Sequence, residues 1–118
     1  MVKFIGVVVF LALSACGAKE EAQSKKIEVN TEAMRTDLVK FIQGGAEPKA
    51  KDANWSTPNT LRIGVVNDGA NRDGYAQYFC AVLSERKFKG EFMVKVIDIE
   101  KVIQNKGFVE LGKSNCVL

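Results

Sequence analysis

An uncharged apolar run, Phe4 to Leu13, opens the chain behind a single Lys3, and no later stretch repeats it. A membrane-spanning helix needs about 20 apolar residues, so this run has instead the length of a signal-peptide core. Residues 17–29 are charged and nearly free of large apolar groups. Such a composition cannot bury enough surface to order itself, and it predicts a flexible tether.

Helical periodicity begins after Asn30. Met34, Leu38, Phe41 and Ile42 recur at i, i+4, i+7 and i+8, which predicts a helix over residues 31–43 with Val39 widening its buried stripe. Asn30 or Thr31 can cap it, and Gly44-Gly45 ends it. Residues 44–60, rich in Gly, Pro, Lys, Asn, Ser and Thr, predict a long connection carrying the only tryptophan, Trp55. Residues 61–66 are β-branched and bounded by turn residues, which predicts a strand. A polar loop over 67–74 leads into a second helix reaching Lys87, with Tyr75, Phe79, Val82 and Leu83 as its stripe and Cys80 at the stripe's edge.

Lys89-Gly90 turns the chain into a strand over 92–99 that is apolar on both faces in places. Residues 100–104 fit either its continuation or a helical turn. After Asn105-Lys106-Gly107, a short strand over 108–111 is expected to pair back, and 112–115 to lead to Cys116. The fold class is α/β (α+β): a small α-β-α-β-β domain with a sheet and its helices on one face.

The segment Leu13-Ser14-Ala15-Cys16 changes the picture most. It resembles the lipobox of bacterial lipoproteins: a leucine, two small residues and a cysteine at the end of a signal-peptide core. The resemblance implies a diacylglyceryl group on the Cys16 thiol, cleavage between Ala15 and Cys16, and acylation of the new amine. The covalent lipid is the only cofactor it implies. Two or more chains anchor stably, at about 0.8 kcal/mol per buried methylene. By resemblance to the sorting rule of enteric bacterial lipoproteins, Gly17 in place of Asp implies the outer membrane, facing the periplasm. The expected divisions are a signal peptide over 1–15, a lipidated tether over 16–29 and a domain over 30–118.

Three cysteines are an awkward number for an exported chain. With Cys16 taken by lipid, Cys80 and Cys116 remain in an oxidising compartment, where a disulfide between them is expected. Without Lys3, 16 basic residues face 14 acidic ones, and no basic run is interleaved with aromatics. That balance argues against a dedicated nucleic-acid surface.

The chemistry on offer is sparse. There is no histidine, so Ser-His-Asp and Cys-His arrangements are impossible. Gly69 and Gly74 have the spacing of P-loop glycines, but Tyr75 and Ala76 stand where Lys and Ser/Thr are needed. Asp68, Gly69, Arg72 and Asp73 are the candidate ligand contacts, with turn-making and helix capping as the plainer reading of the two aspartates. Trp55 is either a plug folding its loop onto the domain or a partner contact. The expectation is a non-enzymatic, lipid-anchored envelope protein that binds another envelope protein in an accessory, structural, exclusion or inhibitor role. The alternative is a small-ligand or carbohydrate-binding module using the 67–74 loop.

Overall fold

The computed structural model describes residues 29–118. The signal segment 1–15, Cys16 and the tether up to residue 28 lie outside the described residues.

Helix α1, Glu32–Phe41, starts where the Thr31 hydroxyl accepts the Met34 amide at 3.1 Å. It runs into a wide π-type turn, Ile42–Ala46, which Gly45 ends at φ 93°. Its inward line passes through Leu38 and Ile42, both fully buried. Phe41, expected on that line, is 40% exposed and carries the Arg86 guanidinium over its ring at 4.4 Å. As the last residue of α1 it reaches the margin of the core and serves as a lid for a cation instead.

The long connection expected over 44–60 contains a strand. β1, Asp52–Thr57, pairs antiparallel with β2, Thr60–Val65, through a turn at Pro58-Asn59. Its inward positions are only Ala53 and Trp55, so a small residue and an isolated aromatic carry the whole period-two signal. β2 pairs in parallel with β3, Glu91–Asp98, across helix α2, Asp73–Glu85. β4, Glu110–Val117, then pairs antiparallel with β3, giving the sheet order β1-β2-β3-β4. The expected last strand, 108–111, is therefore displaced toward the C-terminus and longer. Residues 112–115 lie in it rather than leading out of it.

One sheet face is covered by α1 and α2. Leu61, Ile63, Phe92, Val94, Val96, Phe79 and Leu83 fill the space between. On β4 the inward positions are small: Gly112, Ser114 and Cys116. A Cβ at position 112 would collide with the backbone of Arg72 and Asp73, so only glycine lets the start of α2 sit directly on the strand. The two main helices share this face, as expected. The short α3, Ile99–Ile103, capped by the Asp98 carboxylate at the Glu100 and Lys101 amides (3.0 and 3.3 Å), sits on the opposite side. There Ile99 packs over Gly64, where an added Cβ would stand 2.8 Å from the isoleucine's tip. The architecture is a four-stranded mixed sheet with three helices, an α+β domain. Cys80 of α2 is joined by a disulfide to Cys116 of β4, with Cα atoms 5.3 Å apart.

Candidate functional site

The loop from β2 to α2 is a chain of side-chain-closed turns. Asn67 accepts the Gly69 amide at 2.9 Å, Asp68 the Ala70 amide at 3.1 Å, and Asn71 the Asp73 amide at 2.8 Å. Gly69 supplies the positive φ, 87°, that this path requires. The Ala70 amide and the Arg72 guanidinium, 3.0 Å away, hold the Asp68 carboxyl below the usual carboxylate range. Arg72 itself is buried, and its amide donates to the Leu111 carbonyl at 3.0 Å. Asp73 is engaged elsewhere: its carboxylate accepts the Lys113 amide of β4 at 2.9 Å. The two aspartates therefore serve different elements, one closing its own loop and the other clasping β4.

Beside this loop lies a cavity of about 350 Å³, lined by Pro48, Lys49, Lys51, Val65, Val66, Asp68 and Arg72. The Arg72 Nε is buried without a hydrogen-bond partner. Across Pro48-Lys49 a second hollow of about 380 Å³ is floored by Tyr75 and Tyr78, whose rings stack at 6.1 Å. The Tyr78 hydroxyl donates to Glu47 at 2.7 Å, and this bond to the neutral phenol raises its pKa. The Tyr75 hydroxyl is shielded and unpartnered. Burial first, then the negative Glu47, pushes its pKa up to about 12. Lys49, Lys51, Tyr75 and Tyr78 were not among the expected contacts. The period-two signal of Ala53 and Trp55, which reveals β1, is the one clue that could have brought the 47–51 segment to this loop.

A third hollow, larger than these two at about 460 Å³, runs between α1 and the edge strand β1. Trp55, Val39 and Ala53 give it apolar surface, and Glu32, Arg35, Thr36, Lys40, Gln43 and Asn54 give it a polar border. One side of Trp55 belongs to the core. It stacks on Phe88 at 5.6 Å, meets Phe92 edge-on at 6.0 Å and donates its indole N–H to the Arg35 carbonyl at 3.1 Å. The sheet edge here is partly blunted, because the Asp52 carboxylate takes the Ala53 amide and the Gln43 side chain, both at 2.8 Å. Among the described residues, no three Cys, Asp or Glu side chains converge as a metal site.

No protein-family model, curated protein or solved structure matches this chain.

Proposed function

We propose that this chain is a non-enzymatic, lipid-anchored protein of the bacterial envelope that binds a protein partner through the hollow between α1 and β1. The lipobox resemblance at Leu13 to Cys16 supplies the anchor and the address, with the outer membrane favoured by Gly17. The observation that carries the binding role is the hollow itself: apolar residues with a polar border, the anatomy of a protein interface, with a tryptophan whose far side is fixed by core aromatics. A rigid, half-buried tryptophan loses little entropy on contact, which is why such residues become binding hot spots.

Trp55→Ala is a poor test, because truncating a tryptophan that packs on the core destabilises the fold by itself. Thr36→Glu combined with Lys40→Glu is better, since both positions are exposed on the border. The double variant is expected to lose co-purification of its envelope partner with thermal stability unchanged. Undiminished co-purification would count against this surface.

A second reading has its own observation. The cavity beside the 67–74 loop gathers Lys49, Lys51 and a buried Arg72 with an unpartnered Nε, a setting suited to a small anionic ligand. Ligand-induced stabilisation lost in Lys49→Gln with Lys51→Gln, but kept in the border variant, would favour it.

A further inference from the structure

The hollow over Tyr75 and Tyr78, about 380 Å³, belongs to neither the partner surface nor the cavity at Arg72. The two tyrosines stand one turn apart on α2, so both rings leave from the same side of the helix. Buried Phe79 fixes them, crossing Tyr75 edge-on at 5.1 Å and Tyr78 at 5.3 Å. The two rings are parallel to within 7° with centroids 6.1 Å apart. At that separation parallel rings overlap little, so ring face is left open to the hollow. Tyr78 is 46% exposed, and the Tyr75 hydroxyl is shielded, so ring surface is what Tyr75 offers.

The opposite wall is Glu47, Pro48 and Lys49, held in place by buried Ala50, whose amide donates to the Glu47 carbonyl at 3.0 Å. One Glu47 oxygen accepts the Tyr78 hydroxyl. Among the described residues, its other oxygen, Oε1, and the Lys49 ammonium have no hydrogen bond or ion pair. The hollow thus sets one free acceptor and one free donor around an aromatic floor, and its lining carries no net charge. The next charges that act on the tyrosines, Arg72 and Glu85, are also of opposite sign. A cation would meet Lys49, and an anion would meet Glu47 and the negative ring faces. A pyranose matches every feature. Its hydroxyls both donate and accept, so they serve an acid and a base at once. Its slightly positive C–H face lies against the negative face of an aromatic ring.

We infer that the Tyr75–Tyr78 hollow binds the C–H face of a neutral pyranose, with Glu47 and Lys49 taking its hydroxyls. This site uses neither the α1–β1 hollow nor Lys51 and Arg72, and it holds whether or not those surfaces bind anything.

The test is saturation-transfer NMR on the full chain in nanodiscs of phosphatidylethanolamine and phosphatidylglycerol, which contain neither sugar nor quaternary ammonium. The probe is chitotriose, a neutral trimer of N-acetylglucosamine, at about 10 mM against an expected Kd on the order of 1 mM. Transfer should be strongest at the axial ring protons of one pyranose face and absent with empty nanodiscs. A pyranose face on Tyr78 removes roughly 50 Å² of apolar surface from water, so Tyr78→Ala should weaken binding about tenfold. Tyr78→Phe keeps the ring and should stay within about threefold. Lys49→Ala, at an exposed position, should weaken binding about threefold, and Lys51→Ala should leave it unchanged. A thermal melt of each variant separates lost binding from lost fold. N-acetylglucosamine binding as tightly as the trimer assigns the site to a single sugar, and tighter binding of the trimer assigns it to a glycan chain; both uphold the inference. No transfer at about 10 mM overturns it, as does transfer undiminished in both Tyr78→Ala and Lys49→Ala. Displacement of the trimer by equimolar tetramethylammonium also overturns it, and assigns the hollow to cations.

Discussion

Opening the Cys80–Cys116 bond probes the link between α2 and the last strand. The bond closes a loop with a sequence separation of 36. The chain-entropy model then gives a loss of about 3.8 kcal/mol on removal, through the larger freedom of the unfolded chain. That is a large share of the 5–15 kcal/mol that typical domains possess. Reduction is the cleaner perturbation, because Cys116 is buried and a serine there would add an unsatisfied hydroxyl to the core. Cys80→Ala with Cys116→Ala serves as the matched variant. In urea, with a slope of about 1–2 kcal/mol per molar for a domain of this size, the midpoint should fall by roughly 2–4 M. Both perturbations should agree. A loss below about 1 kcal/mol in both would refute the reasoning, since α2 and β4 would then stay joined in the unfolded state without the bond.

The Tyr75 hydroxyl is shielded without a partner, so Tyr75→Phe should be neutral or stabilising by up to about 1 kcal/mol at pH 7 in a melting experiment. Its pKa is raised from 10.0 to about 12, so above pH 10 the unfolded chain ionises first and stability falls progressively toward pH 12. Tyr75→Phe should flatten that fall, and ultraviolet titration should lose its highest-pH tyrosinate. Gly112→Ala forces a methyl against the backbone of Arg72 and Asp73 and should cost about 2 kcal/mol or more in urea unfolding. Gly64→Ala meets only the flexible tip of Ile99 and should cost less. Lys95 stands in register between Arg62 and Lys113, so Lys95→Gln should raise stability by roughly 0.2–1 kcal/mol at low salt, with the gain shrinking as salt is added.

The elements legible in the chain were those whose inward positions are large. Helix α2 with Tyr75, Phe79, Val82 and Leu83, and the two central strands, stand where periodicity places them. β1 was hidden because its inward residues are Ala53 and one tryptophan, set among turn-forming neighbours. The far half of β4 was hidden because Gly112 and Ser114 are small to admit the start of α2, so no apolar alternation marks it. The Cys80–Cys116 pairing followed from cysteine count and compartment, with Cys16 set aside for lipid. The 67–74 loop was readable as turns, since its Asn and Asp side chains bond locally. Its company was not: Lys49, Lys51 and the two tyrosines come together only through the fold. The alignment of Arg62, Lys95 and Lys113 across three strands is the extreme case, because it exists only once strand register is known.

Partner binding through the α1–β1 hollow is tested most directly by a photo-crosslinking residue at Lys40, on the hollow's border, in the full-length chain within its native envelope. The expected result is one defined protein adduct, absent when the probe is moved to exposed Gln77 on α2 and lost in Thr36→Glu. No adduct at position 40, or the same adducts from both positions, would contradict it.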